Sequence, residues 1–141
     1  MKRLRLRMRR GASVLEMALV LPILLMLSFG VVDYGYFLYV KNTVQGAAQA
    51  GVRTAITSSA TNASVTTVIS NMMTAAGLQN SGYSVTLSPS DVSTAAAGST
   101  VTVTISCTWG SLGVHTLSSS LGGISNSKQI VGVAVMRKES S

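Results

Sequence analysis

At 141 residues the chain has room for one small folded domain beside a membrane helix, and a second domain is excluded on size. The formal charge of +7 suggests a nucleic acid or an anionic surface until it is located: six of the eleven basic residues, Lys2, Arg3, Arg5, Arg7, Arg9 and Arg10, stand in the first ten positions. The remaining five face four acidic residues, a balance of +1, so the charge argues for topology and against nucleic-acid binding.

Residues 1–11 read as a basic leader ending in Gly11, and an apolar run over 12–32 follows. Twenty-one residues at about 1.5 Å each span about 31 Å, close to the ~30 Å hydrocarbon layer of a bilayer. The basic cluster directly before this run keeps the N-terminus cytoplasmic and sends the rest of the chain across. Glu16 interrupts the run near its start. A carboxylate at the centre of a spanning helix costs about 2.5–3.5 kcal/mol, less near an end, so its presence there asks for a partner or a purpose.

The helical pattern continues past Val32 through Asp33, Tyr34, Tyr36, Phe37 and Tyr39, an aromatic cluster suited to the outer membrane interface. Solvation at that interface accounts for Asp33. Gly46/Ala50 and Ala47/Gly51, at four-residue spacing, allow a helix or a sheet to approach the backbone closely. One long helix is therefore expected over 12–57, regular from about Ser13, with Pro22 kinking or locally unwinding it inside the membrane. Arg53 near its end has three open assignments: the Asp33 end of the helix, Asp91, or no partner.

A polar break at 58–62 offers capping residues, and Val65, Val68, Ile69, Met72, Met73 and Ala76 then recur at helical spacing up to Gly77, a C-terminal cap. Strands are expected over 83–88, 100–108 and 129–137. In the second, Val101, Val103, Ile105 and Cys107 alternate with Thr102, Thr104, Ser106 and Thr108, one face apolar and one wet. Turns around Pro89 and Ala97-Gly98-Ser99 favour an antiparallel sheet of three or four strands. Its apolar face is assigned to Val101, Val103 and Ile105 with Val131, Val133 and Val135, covered by Val65, Val68, Ile69 and Met72 of the second helix. The Gly/Ser-rich stretch between Gly110 and Lys128, with Leu112, Val114, Leu117, Leu121 and Ile124, reads as a long loop or a short helix. The fold class is thus α+β, residues 58–141 forming a small domain expected to fold on its own from about Thr54.

Chemistry is sparse. One His, one Cys and four carboxylates provide no nucleophile–base pair and no converging metal ligands, and the glycines lack the spacing of a phosphate-binding loop. No catalytic residue, metal or cofactor is assigned. His115 reads as a surface or packing residue, and Cys107, unable to form an intramolecular disulfide, as a small buried hydrophobe.

A basic leader, a glycine at a processing point, a small first mature residue and Glu at mature position five form the architecture of type IV pilin precursors. Within that class "RRGASVLEMALVLPILLMLSFGVVDYGYFLYVKNTVQGAAQAGVR" resembles the TadE-like proteins, minor pilins or pseudopilins of tight-adherence (Flp) pili, and "GVAVMRKE" at 132–139 resembles the family's C-terminal strand. The family often carries arginine where Gln49 stands. The resemblance implies a pilin-like fold and cleavage between Gly11 and Ala12 by a prepilin peptidase. It implies as further partners other pilin and pseudopilin subunits, an inner-membrane assembly platform and membrane lipid. The cationic amine of a neighbour's Ala12 then pairs with Glu16 as subunits assemble, which offsets the burial of that carboxylate. The implied location is the bacterial inner membrane, single-pass, with the C-terminal domain periplasmic and a possible place in the extracellular pilus. Two alternatives remain. A general-secretion pseudopilin shares Gly11 and Glu16 but usually has Phe after the glycine, where Ala12 stands here. A secreted or membrane-anchored surface protein without a filament role would use Ala48-Gln49-Ala50 as an A-x-A-like cleavage site, about 18 residues past the apolar run.

Overall fold

The computed structural model describes residues 4–112 and 123–139, with residues 4–10 described by backbone only. Two helices are followed by three strands: α1 (Leu4–Ala55), α2 (Asn62–Ala75), β1 (Ser84–Ser88), β2 (Thr100–Thr108) and β3 (Gln129–Arg137), with a 3-10 turn at Trp109–Leu112 after β2. The sheet is antiparallel in the order β1-β2-β3. This is the expected α+β architecture, with three strands.

α1 begins earlier than expected, because its helical backbone reaches back through the leader to Leu4. Arg, Leu and Met are good helix formers, and nothing in that stretch breaks the pattern. The helix also runs through Pro22 without interruption, so the expected local unwinding is absent. Proline removes a single rung of the ladder, and the rungs on either side persist. Ser28 lies within the apolar stretch and returns its hydroxyl to the Leu24 carbonyl at 2.8 Å, which satisfies both polar groups locally.

α2 starts with a capping box: the Ser64 amide donates to the Thr61 Oγ1 and the Thr61 amide to the Ser64 Oγ, both at 3.1 Å. It ends in a Schellman motif. Leu78 N–H reaches the Met73 carbonyl and Gly77 N–H the Thr74 carbonyl, a geometry that needs the positive φ of 73° adopted by Gly77.

The core gathers Val101, Val103, Ile105, Cys107 and Trp109 of β2 and its 3-10 turn, Ile130 and Ala134 of β3, Val65, Ile69 and Met73 of α2, and Val40, Val44, Ala47, Ala48, Val52 and Ala55 of α1. Two expectations are corrected here. Val131, Val133 and Val135 are 46%, 45% and 56% exposed on the outer face of the sheet. The inward residues of β3 are Ile130, Gly132, Ala134 and Met136, set by the register that places them opposite Cys107, Ile105, Val103 and Val101. The cover is also different: α1 lies along β3, and α2 packs chiefly on α1, with Met73 buried and Met72 exposed.

Small residues explain this arrangement. A Cβ on Gly132 would sit 2.7 Å from the Val44 carbonyl oxygen and 2.9 Å from the Gln45 amide nitrogen, so the helix backbone rests directly on the strand. A Cβ on Gly51 would meet Ile69 of α2 at 2.8 Å and Val103 of β2 at 3.4 Å, so this one glycine admits both helix and sheet. The four-residue spacing at Ala47/Gly51 foreshadowed that close approach. The start of the Gly/Ser-rich stretch, through Leu112, belongs to the 3-10 turn Trp109–Leu112. His115, Val114, Leu117 and Leu121 lie outside the described residues.

Candidate functional site

Two sites divide α1. At its N-terminal end Gly11, Ala12 and Glu16 are all exposed, and a Cβ on Gly11 would meet nothing within 4 Å. Ala12 and Glu16 are four residues apart and so share one helix face a single turn apart, with Val20 a further turn along. From residue 11 to Val32 every side chain is exposed, Val14 to 69% and Leu19 to 67%. The helix over Gly11–Ala55 is long and apolar enough to cross a membrane. The structure therefore places Gly11, the Glu16 carboxylate and Pro22 on one bare apolar rod.

Further along, the rod is received by the domain through an aromatic joint. Phe37 meets Trp109 edge-on with ring centroids 5.3 Å apart, and Tyr36 lies 5.8 Å from the same indole. Tyr39 stacks on Tyr36 at 6.1 Å and donates its hydroxyl to the Ala76 carbonyl at 3.3 Å, which ties α1 to the end of α2. The sequence offered this aromatic cluster as a membrane-interface belt; the structure shows Tyr36 and Phe37 packed on the head. Its packing partner Trp109 was not singled out, although it continues the buried alternation of Val101, Val103, Ile105 and Cys107 by one further step.

Two polar devices then fix α1 against β3. The Gln45 side-chain amide donates to the Val133 carbonyl at 2.8 Å, and its oxygen accepts from the Val133 N–H at 3.2 Å. These bonds occupy the outward backbone groups at the centre of an edge strand, which would otherwise invite another chain. Lys138, only 6% exposed, donates its ammonium to the carbonyls of Ala55 at 3.2 Å, Thr57 at 2.8 Å and Val92 at 3.1 Å. A cation at a helix C-terminus satisfies orphan carbonyls and complements the helix dipole. Nothing in local sequence announces this role, because the carbonyls it serves lie more than 40 positions away in the chain.

The remaining groups take no part in either site. Arg53 is exposed, while Asp91 is engaged with Ser93, accepting from its N–H at 2.9 Å and its hydroxyl at 2.7 Å; these bonds hold the carboxyl below its ordinary range. Cys107 is a buried free thiol whose pKa is raised by desolvation, which disfavours the reactive thiolate. Among the described residues no group of three or more His, Cys, Asp or Glu gathers at metal-binding distance.

A helix whose exposed apolar part carries one carboxylate, Glu16, and whose C-terminal half is seated in a small α+β head has the build of an anchor-and-head protein. The TadE-like protein family model matches residues 11–53, from the glycine itself to Arg53, and so covers the exposed rod and its seat but none of the sheet. Over these residues the chain is similar to TadE-like proteins, a likeness that points toward tight-adherence pilus systems. No curated protein and no solved structure matches the chain.

Proposed function

We propose that this chain is a minor pilin or pseudopilin of a tight-adherence (Flp-type) pilus, processed between Gly11 and Ala12 by a prepilin peptidase and needed for pilus assembly. The observation that supports it best is the coincidence of the family match with the bare rod. The matched segment begins at Gly11, and the first 22 residues of it expose every side chain to whatever surrounds the helix. Such a surface needs lipid before assembly and the helices of other subunits afterwards. In this reading the chain is the substrate of the peptidase and has no catalytic role of its own. Residues 1–11 are the leader, the span covers about 12–32, and the head faces the periplasm.

Glu16 supplies the register. Once the leader is gone, Ala12 carries a cationic amine, and a neighbour's amine entering an apolar bundle requires a counter-charge; left alone, a buried charge costs on the order of 3–5 kcal/mol. The test is complementation of a deletion strain with Gly11→Leu and Glu16→Val, scoring intact mass of the membrane protein and surface pili separately. Gly11→Leu is expected to stay unprocessed. Glu16→Val is expected to be inserted and processed but to give no pili, with Glu16→Gln nearly as damaging. A mature start elsewhere than Ala12, or normal piliation by Glu16→Val at normal protein level, overturns the proposal.

A further inference from the structure

α1 and β3 run side by side in the same direction: Phe37 and Lys41 lie at the level of Lys128 to Val131, Gln45 at Val133, and Ile56 at Glu139, whose N–H reaches the Ile56 carbonyl at 3.0 Å. The end of the head nearest the exposed rod is therefore the start of β3. There the two elements enclose a cleft of about 290 Å³ lined by Phe37, Lys41, Lys128, Gln129, Ile130 and Val131. Among the described residues that line it are two cations and one amide and no carboxylate. The other charged side chains of the head lie at the far end: Arg53 in the last turn of α1, Arg137 at the end of β3, Glu139 beside Ile56, and Asp91 next to Val92, whose carbonyl binds Lys138. Asp33 lies on α1 two turns before Lys41, on the rod side.

Distance along the helix sets what this cleft meets. Measured from Val32, Phe37 stands about 7 Å and Lys41 about 13 Å further on. The polar layer of a bilayer adds about 5–8 Å on each side of the hydrocarbon. Phe37 thus sits among headgroups, and a lysine stem at position 41 is long enough to bring its ammonium back toward them. We propose that the cleft between α1 and β3 seats the phosphate of anionic lipid headgroups in the leaflet from which α1 emerges, with Lys41 and Lys128 as its two cationic arms and Gln129 as a further donor. The proposal rests on α1 being a membrane anchor. It gives the head a preferred orientation and depth, beyond what the apolar span alone provides.

The experiment uses the full chain in lipid nanodiscs of phosphatidylcholine mixed with phosphatidylglycerol, read by native mass spectrometry of the lipids retained. Each lysine near an anionic surface is expected to strengthen retention about fivefold, so Lys41→Gln with Lys128→Gln should lower the phosphatidylglycerol preference by an order of magnitude or more. The far-end pair Arg53→Gln with Arg137→Gln, which removes the same charge, should keep it. Near-ultraviolet circular dichroism of Trp109 checks that both variants are folded. An unchanged preference in the lysine variant, or an equal loss in the arginine variant, overturns the proposal while leaving the anchor standing. Release of the wild-type chain from membranes by alkaline carbonate removes the anchor reading and this proposal together.

Discussion

The two halves of α1 belong to one unbroken helix yet answer to different surroundings. From residue 11 to 32 the side chains are all exposed and mostly large and apolar; from Val40 to Ala55 six small apolar ones, Val40, Val44, Ala47, Ala48, Val52 and Ala55, are buried in the core of the head. Bulk suits a surface with no fixed partner, since lipid adapts to any shape. Small residues suit a surface against which a strand and a second helix are already packed. Glycine shows the difference most directly: a Cβ on Gly30 or Gly35 would meet nothing within 4 Å, whereas one on Gly51 would meet Ile69 and Val103.

Truncation breaks the comparison most severely. Removing residues 1–35 should leave a head that unfolds cooperatively, while removing 1–53 should abolish cooperative unfolding. The longer deletion takes away Val40, Val44, Ala47, Ala48 and Val52, all wholly buried. Three buried valines at about 1.5–3 kcal/mol each rival the whole net stability of a small domain, about 5–15 kcal/mol. Burial of these residues thus argues against independent folding from Thr54, and urea unfolding of the two fragments decides it.

Glycine substitutions test the same contrast more gently. Gly132→Val should destabilise the full chain in detergent micelles by about 3 kcal/mol or more, because the atoms in its way are backbone of Val44 and Gln45 and have no rotamer to escape into. Gly30→Ala should be neutral there, with nothing to strike. Next in size is Lys138→Met, expected to lower stability by about 2 kcal/mol: it keeps the stem but strips three carbonyls of their shared donor. Equal thermal midpoints for this variant and wild type would mean that water replaces the ammonium at no loss.

Gln45→Ala should cost about 1 kcal/mol for the two bonds to Val133 and make that amide exchange faster in deuterium, a readout that a general loosening would spread over the whole of β3. The smallest effect belongs to Asp91, whose carboxyl is held below its ordinary value by Ser93. Its contribution is fully present above the unfolded carboxylate pKa of about 3.9 and is lost as pH falls through the lowered folded value. Asp91→Asn should accordingly flatten the acid arm of the stability profile and leave the neutral arm alone.

β3 shows where reading the sequence went astray. Both of its frames are apolar, Val131/Val133/Val135 in one and Ile130/Gly132/Ala134/Met136 in the other, and bulk favours the first as the core face. The register with β2 chooses the second. What covers that face is a helix backbone at contact distance, so glycine and alanine are what fits, and the β-branched valines are left on the outer face of an edge strand, where the pleat suits them. β2 presented no such ambiguity, since only one of its frames is apolar.

Local physical rules sufficed for much of the molecule. An apolar run long enough to span a bilayer, with Glu16 inside it, follows from hydropathy and charge along the chain. The caps of α2 and the limits of β2 and β3 follow from turn chemistry and period. All of these are decided by residues within a few positions of one another. What only the tertiary structure decided are relations between distant residues: Trp109 receiving Tyr36 and Phe37, Gln45 clasping Val133, Lys138 closing the end of α1, and the half of the long helix that belongs to the core. No periodicity encodes these pairings, because each depends on which surface another element brings to within a few ångströms.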